Sequence, residues 1–225
     1  MDKAEPDQLV QQLAITAVPR SVAITHHARL DAQAFLVAYL HTFRVSLPVG
    51  VVGFGAIGQT VARKAQGLDM KVIAHVADEG RVRDAGVEPV SLDELARRAD
   101  AISVHVPLID STRHLVDAEF LKAMKPTAYL LNAARGAIVD LDALAQALAD
   151  GTVAGAGIDV FEPERLPADH PLLHQNRLLA TPHTAFYSEE SMRDLARQAA
   201  ENVAAVLRGE QPAATVNRAA LAAAG

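Results

Sequence analysis

Residues 51–65 read VVGFGAIGQTVARKA, and this stretch decides the fold. Gly53, Gly55 and Gly58 have the G-x-G-x-x-G spacing. An apolar run, Val49 to Phe54, leads into them, and a helix-forming run, Ile57 to Ala65, follows. Strand, tight glycine turn and helix in that order place a pyrophosphate on a helix N-terminus. Gly53 suits the turn, Gly55 lets backbone approach the phosphates, and Gly58 lets the helix lie close on the strand. A glycine-rich turn without a ligand is the bland alternative, and the strand and helix on either side weigh against it.

Working outward, the chain alternates strand-like and helix-like pieces from Val49 onward. Strands are predicted over Val49–Phe54, Lys71–His75, Ala101–Val106, Ala128–Asn132, Gly155–Val160 and Leu178–Ala180. Helices are predicted over Ile57–Gly67, Leu92–Ala99, Ala118–Met124, Leu141–Ala149 and Glu189–Arg208. Ser91-x-x-Glu94 reads as a capping box, and Gly151 and Gly209 as helix stops. The strand runs are almost continuously apolar, as in sheets covered by helices on both faces. The expected fold class is therefore α/β, a doubly wound parallel sheet of the Rossmann type. Residues 49–208 form the expected dinucleotide-binding domain, 1–48 a short segment ahead of it and 209–225 a tail. All 13 glycines lie at or after Gly50. In the front segment, Leu9–Val18 and Asp31–Phe43 read as helices and Ser21–Thr25 as a short strand.

Bulk properties narrow the function. The 225 residues carry a net charge of -6, which argues against a nucleic-acid surface. The densest basic pair, Arg97-Arg98, reads as a solvated helix end. There is no cysteine, so thiol chemistry is excluded. No apolar run is long enough for a membrane span. The first residues, MDKAEPDQLVQQ, lack the pattern of a secretory signal, so a cytoplasmic protein is the expectation. No metal site is expected.

Several residues fall where ligands bind, at the carboxyl ends of the strands. Val76 stands where an acidic residue would grip the ribose 2′-hydroxyl of NAD, and Asp78 comes two residues later. NAD is the expected cofactor and NADP is left open. Arg135 follows a strand run and precedes Gly136; a guanidinium there can clamp a carboxylate and a carbonyl oxygen, or be a plain surface arginine. Asp159 ends another strand run, with Glu162 and Glu164 after it, and His183 ends the next. A carboxylate beside an imidazole favours its protonated form, which is what a general acid needs.

Five ordered segments carry a family resemblance: VVGFGAIGQ, HVPLIDSTRHLV, LKAMKPTAYLLNAARGAIVD, GAGIDVFEPE and TPHTAFYSEE. From about Gly50 to Arg208 the chain resembles the D-isomer-specific 2-hydroxyacid dehydrogenases. The resemblance implies an NAD(P)-dependent oxidoreductase that interconverts small 2-keto and D-2-hydroxy acids. Arg135, Glu164 and His183 match the family's catalytic arginine, glutamate and histidine. Arg135 would orient the keto acid, His183 would donate a proton to its carbonyl oxygen, and Glu164 would keep His183 protonated. Gly53, Gly55, Ala56, Ile57 and Gly58 are implied at the cofactor phosphates. His105, Val106 and Pro107 are implied along the adenosine side, and Thr112 at a position near the cofactor. Asp159 is implied near the nicotinamide carboxamide, and Ala133, Ala134 and His183 are also implied to contact the cofactor. Glu164 is followed by Arg165 where the family has proline, so Arg165 could tilt that loop or compete for the carboxylate.

The family's substrate domain normally precedes the glycine loop. Only a short glycine-free front stands there in this sequence. The face it would leave open calls for cover from that segment or from a second subunit, so a homodimer is among the expected partners. The alternative is a catalytically weak or inactive NAD(H)-binding protein derived from the family.

Overall fold

The computed structural model describes residues 47–76, 80–212 and 215. The helices and strand read ahead of Val45, and Asp78, lie outside the described residues. Two compact units are present, Met1–Ala185 and Phe186–Gly225.

The first unit is built on a seven-stranded sheet, all of whose strand pairs are parallel. Its strands are β1 (Val49–Val52), β2 (Val72–His75), β3 (Glu88–Pro89), β4 (Ala101–Val104), β5 (Tyr129–Asn132), β6 (Gly155–Ile158) and β7 (Leu178–Ala180). Its helices are α1 (Ala56–Gln66), α2 (Gly80–Asp84), α3 (Leu92–Arg98), α4 (Ala118–Ala123) and α5 (Leu141–Ala149). The strand order is β3-β2-β1-β4-β5-β6-β7. Chain direction across the sheet therefore reverses between β1 and β4, and ligands bind in the crevice at such a switch point.

Period-two alternation sorts the strand side chains onto two faces. Val49 and Val51 of β1, with Val72 and Ala74 of β2, join Ala62 and Ala65 of α1 and Val82 of α2 in one buried cluster. Val52, Ile73, Ile102, Val104 and Leu130 join the other, against Leu95 of α3, Phe120 and Leu121 of α4 and Leu144 of α5. Helices on both faces are what the unbroken apolar strand runs required.

The doubly wound α/β fold agrees with the sequence reading, and the differences in element limits have local causes. β1 stops at Val52 because Gly53 turns out of the strand with φ 94°. β6 stops at Ile158, where Asp159 begins to bond to the segment that follows β7. α2 and the two-residue β3 were not read from the sequence; neither is long enough to show a period. Ser91 caps α3 by accepting from Glu94 N at 3.1 Å. The Glu94 carboxylate bonds Arg98 instead, at 2.6 Å, so this carboxylate serves an (i, i+4) ion pair. Arg97 pairs with Asp93 and Arg98 also with Glu88, so the basic pair is a charge-matched helix end.

The second unit contains α6 (Glu189–Leu207). Ser188 caps it by accepting from Ser191 N at 3.0 Å, and Gly209 follows its end with φ 74°. Arg197 bridges Asp194 and Glu201 along the helix. Among the described residues, no helix is long and apolar enough to cross a membrane.

Candidate active site

The glycine loop joins β1 to α1 at the switch point. Gly53 adopts a positive φ, and a Cβ there would lie 2.7 Å from the His105 carbonyl oxygen. Gly58, in the first turn of α1, lies so close to the glycine turn that a Cβ there would stand 2.1 Å from Gly53 O. Gly55 is different: a Cβ there would meet nothing within 4 Å. The helix it opens has no side-chain cap and no acidic residue in its first turn. Gly55, Ala56 and Ile57 are exposed while Gly53 and Gly58 are buried. First-turn N–H groups without a side-chain acceptor, at the positive end of a helix, suit a phosphate. The residues present therefore fit a pyrophosphate.

The wall opposite is the segment after β4. His105 N donates to Val52 O at 2.7 Å, which ties the two strand ends together. Its ring Nε2 lies 2.8 Å from Ser103 Oγ, and burial lowers its pKa to about 4. Val106 is half-buried and Pro107 exposed. Thr112 closes the loop: its hydroxyl donates to Pro107 O at 2.6 Å and accepts from Ile109 N at 2.9 Å.

A half-buried imidazole held neutral makes stability depend on pH. The unfolded chain binds His105's proton near pH 6.5, whereas the folded chain resists it until about pH 4. Its contribution is thus fully present above pH 6.5 and is lost as pH falls toward 4. Denaturant titrations between pH 7 and 4 should show the His105→Gln variant losing about 3 kcal/mol less stability than wild type over that range. Parallel losses in the two proteins would contradict the assignment.

Beyond β4, three neighbouring strand ends present the remaining predicted residues. Arg135 follows β5 and is exposed, with Nη1 donating to Ala134 O at 2.6 Å. Ala133 is exposed and Ala134 half-buried on the same turn. After β6, Asp159 is 4% exposed. After β7, His183 adopts φ 55°, a left-handed conformation that a non-glycine residue holds only when its surroundings impose it. Its Nδ1 lies 3.2 Å from Glu164 Oε1. Glu162 instead bonds Arg113, whose Nη1 and Nη2 both lie 3.2 Å from its Oε1. The structure thus brings Glu164 and not Glu162 to the imidazole. Among the described residues, Arg165 makes no ion pair with Glu164. Val76, just past β2, is half-buried.

Two features of this edge were not read from the sequence. Gly136, beside Arg135, lets the loop after β6 pass: a Cβ there would lie 2.2 Å from the Phe161 carbonyl carbon. Asn132, the last residue of β5, is buried and brackets the Arg135 turn with its side chain. A single amide ending an otherwise apolar strand was the available signal, since buried polar groups need partners. Among the described residues, no cluster of side chains could hold a metal ion.

Comparison with known proteins gives a consistent picture. Residues 20–185 match the model of the "D-isomer specific 2-hydroxyacid dehydrogenase, NAD binding domain". That match begins ahead of β1, within the segment that the sequence reading set before the family-like region. A glyoxylate reductase of Korarchaeum cryptofilum is 43% identical over 172 residues, covering 76% of this chain and 52% of the relative. The NAD complex of a D-isomer specific 2-hydroxyacid dehydrogenase from Lactobacillus delbrueckii ssp. bulgaricus superposes with a TM-score of 0.70 at 35% identity, covering 76% of this chain and 56% of that one. The D-lactate dehydrogenase of Aquifex aeolicus, solved with NAD and lactic acid, gives 0.66 at 32% identity, covering 77% and 60%. The chain spans about half the length of the curated relatives it matches. With the family model covering most of the chain and the sheet order of a doubly wound fold, the protein belongs to the D-isomer specific 2-hydroxyacid dehydrogenase family, whose NAD-binding domain it carries.

Proposed function

We propose that the protein binds a nicotinamide dinucleotide across the switch point and interconverts a small 2-keto acid and its D-2-hydroxy acid. The observation that carries this reading is the His183–Glu164 contact at 3.2 Å, on the sheet edge that also bears Arg135. When bound, the cofactor would supply or accept the hydride. Gly53, Gly55 and Gly58, with the first turn of α1, would hold its pyrophosphate. His105, Val106, Pro107 and Thr112 would flank the adenosine, and Ala133, Ala134, Asp159 and His183 the nicotinamide end.

The chain's own residues then supply substrate binding and proton transfer. Arg135 carries five N–H donors in a planar fork, which matches a carboxylate and the adjacent carbonyl. It would bind the keto acid and fix which face meets the cofactor. Glu164 accepts from Nδ1–H of His183, which orients the ring and directs proton transfer to Nε2. Nε2 would give its proton to the carbonyl oxygen during reduction and take it back during oxidation.

The second reading is a protein that binds NAD(H) without turnover. It is favoured by exposure: the His183 side chain is 44% and that of Glu164 78% accessible. An exposed ion pair is weak and orients the ring poorly, and hydride chemistry needs a site shielded from water. Calorimetric titration with NADH and NADPH, followed by assays on a panel of 2-keto acids that includes glyoxylate, separates the readings. Saturable NADH binding with keto-acid-dependent NADH oxidation is the expected result. Binding with no oxidation above background would leave the second reading, and absence of binding would end both.

A further inference from the structure

Arg135 and His183 stand on separate loops, after β5 and β7. Each loop is held by a buried side chain lying outside it. Asn132 is 1% exposed. Its Nδ2 donates to Arg135 O at 2.9 Å, and its Oδ1 accepts from Ala134 N at 3.0 Å. Its backbone carbonyl accepts from Asp159 N at 3.0 Å. Asp159 repeats the pattern one strand along. Its carboxylate accepts from the Thr181 hydroxyl, from Thr184 N at 2.8 Å and from Ala185 N at 3.0 Å. Its backbone carbonyl accepts from His183 N at 2.8 Å.

These bonds form one continuous path from the Arg135 turn through Asn132 and Asp159 to the His183 turn. The path also explains the left-handed conformation of His183, since donors on both sides of it and its own N–H are tied to one residue. A buried carboxylate satisfied by neutral donors is costly to desolvate and is a weak stabilising device. Its benefit has to lie in geometry.

We infer that Asn132 and Asp159 are positioning residues, a buried polar base at the ends of β5 and β6 that sets where Arg135 and His183 stand relative to each other. The inference rests on the reading of Arg135 and His183 as the catalytic pair. It gives Asp159 a task that contact with the nicotinamide end does not require, and Thr181 a task through its hydroxyl.

Thr181 supplies the sharpest test, because Thr181→Val removes one donor without altering charge and Thr181→Ser keeps it. Asp159→Asn places an amide where an acceptor oxygen stood. Asn132→Asp keeps the acceptor for Ala134 N and loses the donor to Arg135 O. The full chain of each variant is assayed for kcat and for KM of keto acid and NADH, and the amides of Thr184 and Ala185 are followed by hydrogen–deuterium exchange. Thr181→Val and Asp159→Asn should lower kcat about tenfold or more, and Thr181→Val should leave KM for NADH within about twofold. Exchange at Thr184 and Ala185 should quicken in both, and Thr181→Ser should behave as wild type. Asn132→Asp should raise KM for the keto acid about tenfold, as Arg135 shifts. Wild-type kcat in Thr181→Val, or unchanged exchange, overturns the inference even if Asp159→Asn fails to fold. Should none of the keto acids support NADH oxidation by the wild type, the functional reading fails by itself. Exchange then decides the base alone: faster exchange in Thr181→Val than in Thr181→Ser supports it, and equal exchange overturns it.

Discussion

Replacing His183 by glutamine is expected to lower keto-acid reduction by about a hundred- to ten-thousand-fold, the usual worth of a general acid. The amide can still donate a hydrogen bond to Glu164, but it cannot release a proton to a carbonyl oxygen. The glycine loop is built by β1 and α1, and His183 takes no part in it. NADH affinity should therefore change far less than kcat, by a fewfold at most on the scale of a single lost contact. Steady-state kinetics with calorimetry on the same preparation read both quantities. Unchanged kcat would mean that the proton comes from elsewhere, and the functional assignment of His183 would be withdrawn.

The second large effect separates two glycines of one motif. At Gly58 the obstruction is the protein's own backbone, because an added methyl carbon would stand 2.1 Å from Gly53 O. Gly53 has little room to retreat, because a Cβ built on it would stand 2.7 Å from His105 O. Gly58→Ala should cost about 1–3 kcal/mol, the range for overpacking a tight contact, and should also weaken NADH binding as α1 is displaced. At Gly55 an added Cβ would meet nothing within 4 Å beyond its chain neighbours, and φ is -71°, which any residue adopts. Gly55→Ala should leave stability within about 0.5 kcal/mol, as for surface substitutions. The added methyl would stand where backbone must approach the pyrophosphate. NADH affinity should then fall about tenfold or more, equivalent to roughly 1.4 kcal/mol. Thermal unfolding and NADH titration of both variants test this. Equal NADH binding by Gly55→Ala and wild type would mean that the dinucleotide does not use this loop.

The two glycines also mark how far the sequence could be read. Their spacing, with apolar residues before and helix formers after, made the turn and its ligand class legible, because close backbone approach leaves glycine as the residue that fits. The strands were legible from nearly continuous apolar runs, since a sheet covered on both faces tolerates few polar interruptions. Leu141–Ala149 and Leu178–Ala180 matched residue for residue. α2 and β3 were not legible, being too short for their periods to repeat.

At the site, the order of the motifs named Arg135, Glu164 and His183 as candidates. The motif position singled out Glu164 over Glu162, and the tertiary structure supplies the contacts: Arg113 holds Glu162, and Glu164 stands at 3.2 Å from His183.

What the sequence by itself determined is therefore the parallel α/β layering and the phosphate-type turn, because both follow from local periodicity and the steric demands of glycine. What only the tertiary structure decided is the base beneath the site. Asn132 and Asp159 are 27 residues apart, and Asp159 binds donors a further 22 to 26 residues on. Hydrogen bonds between strand ends exist only once the sheet has set the strands side by side, so no local pattern announces them.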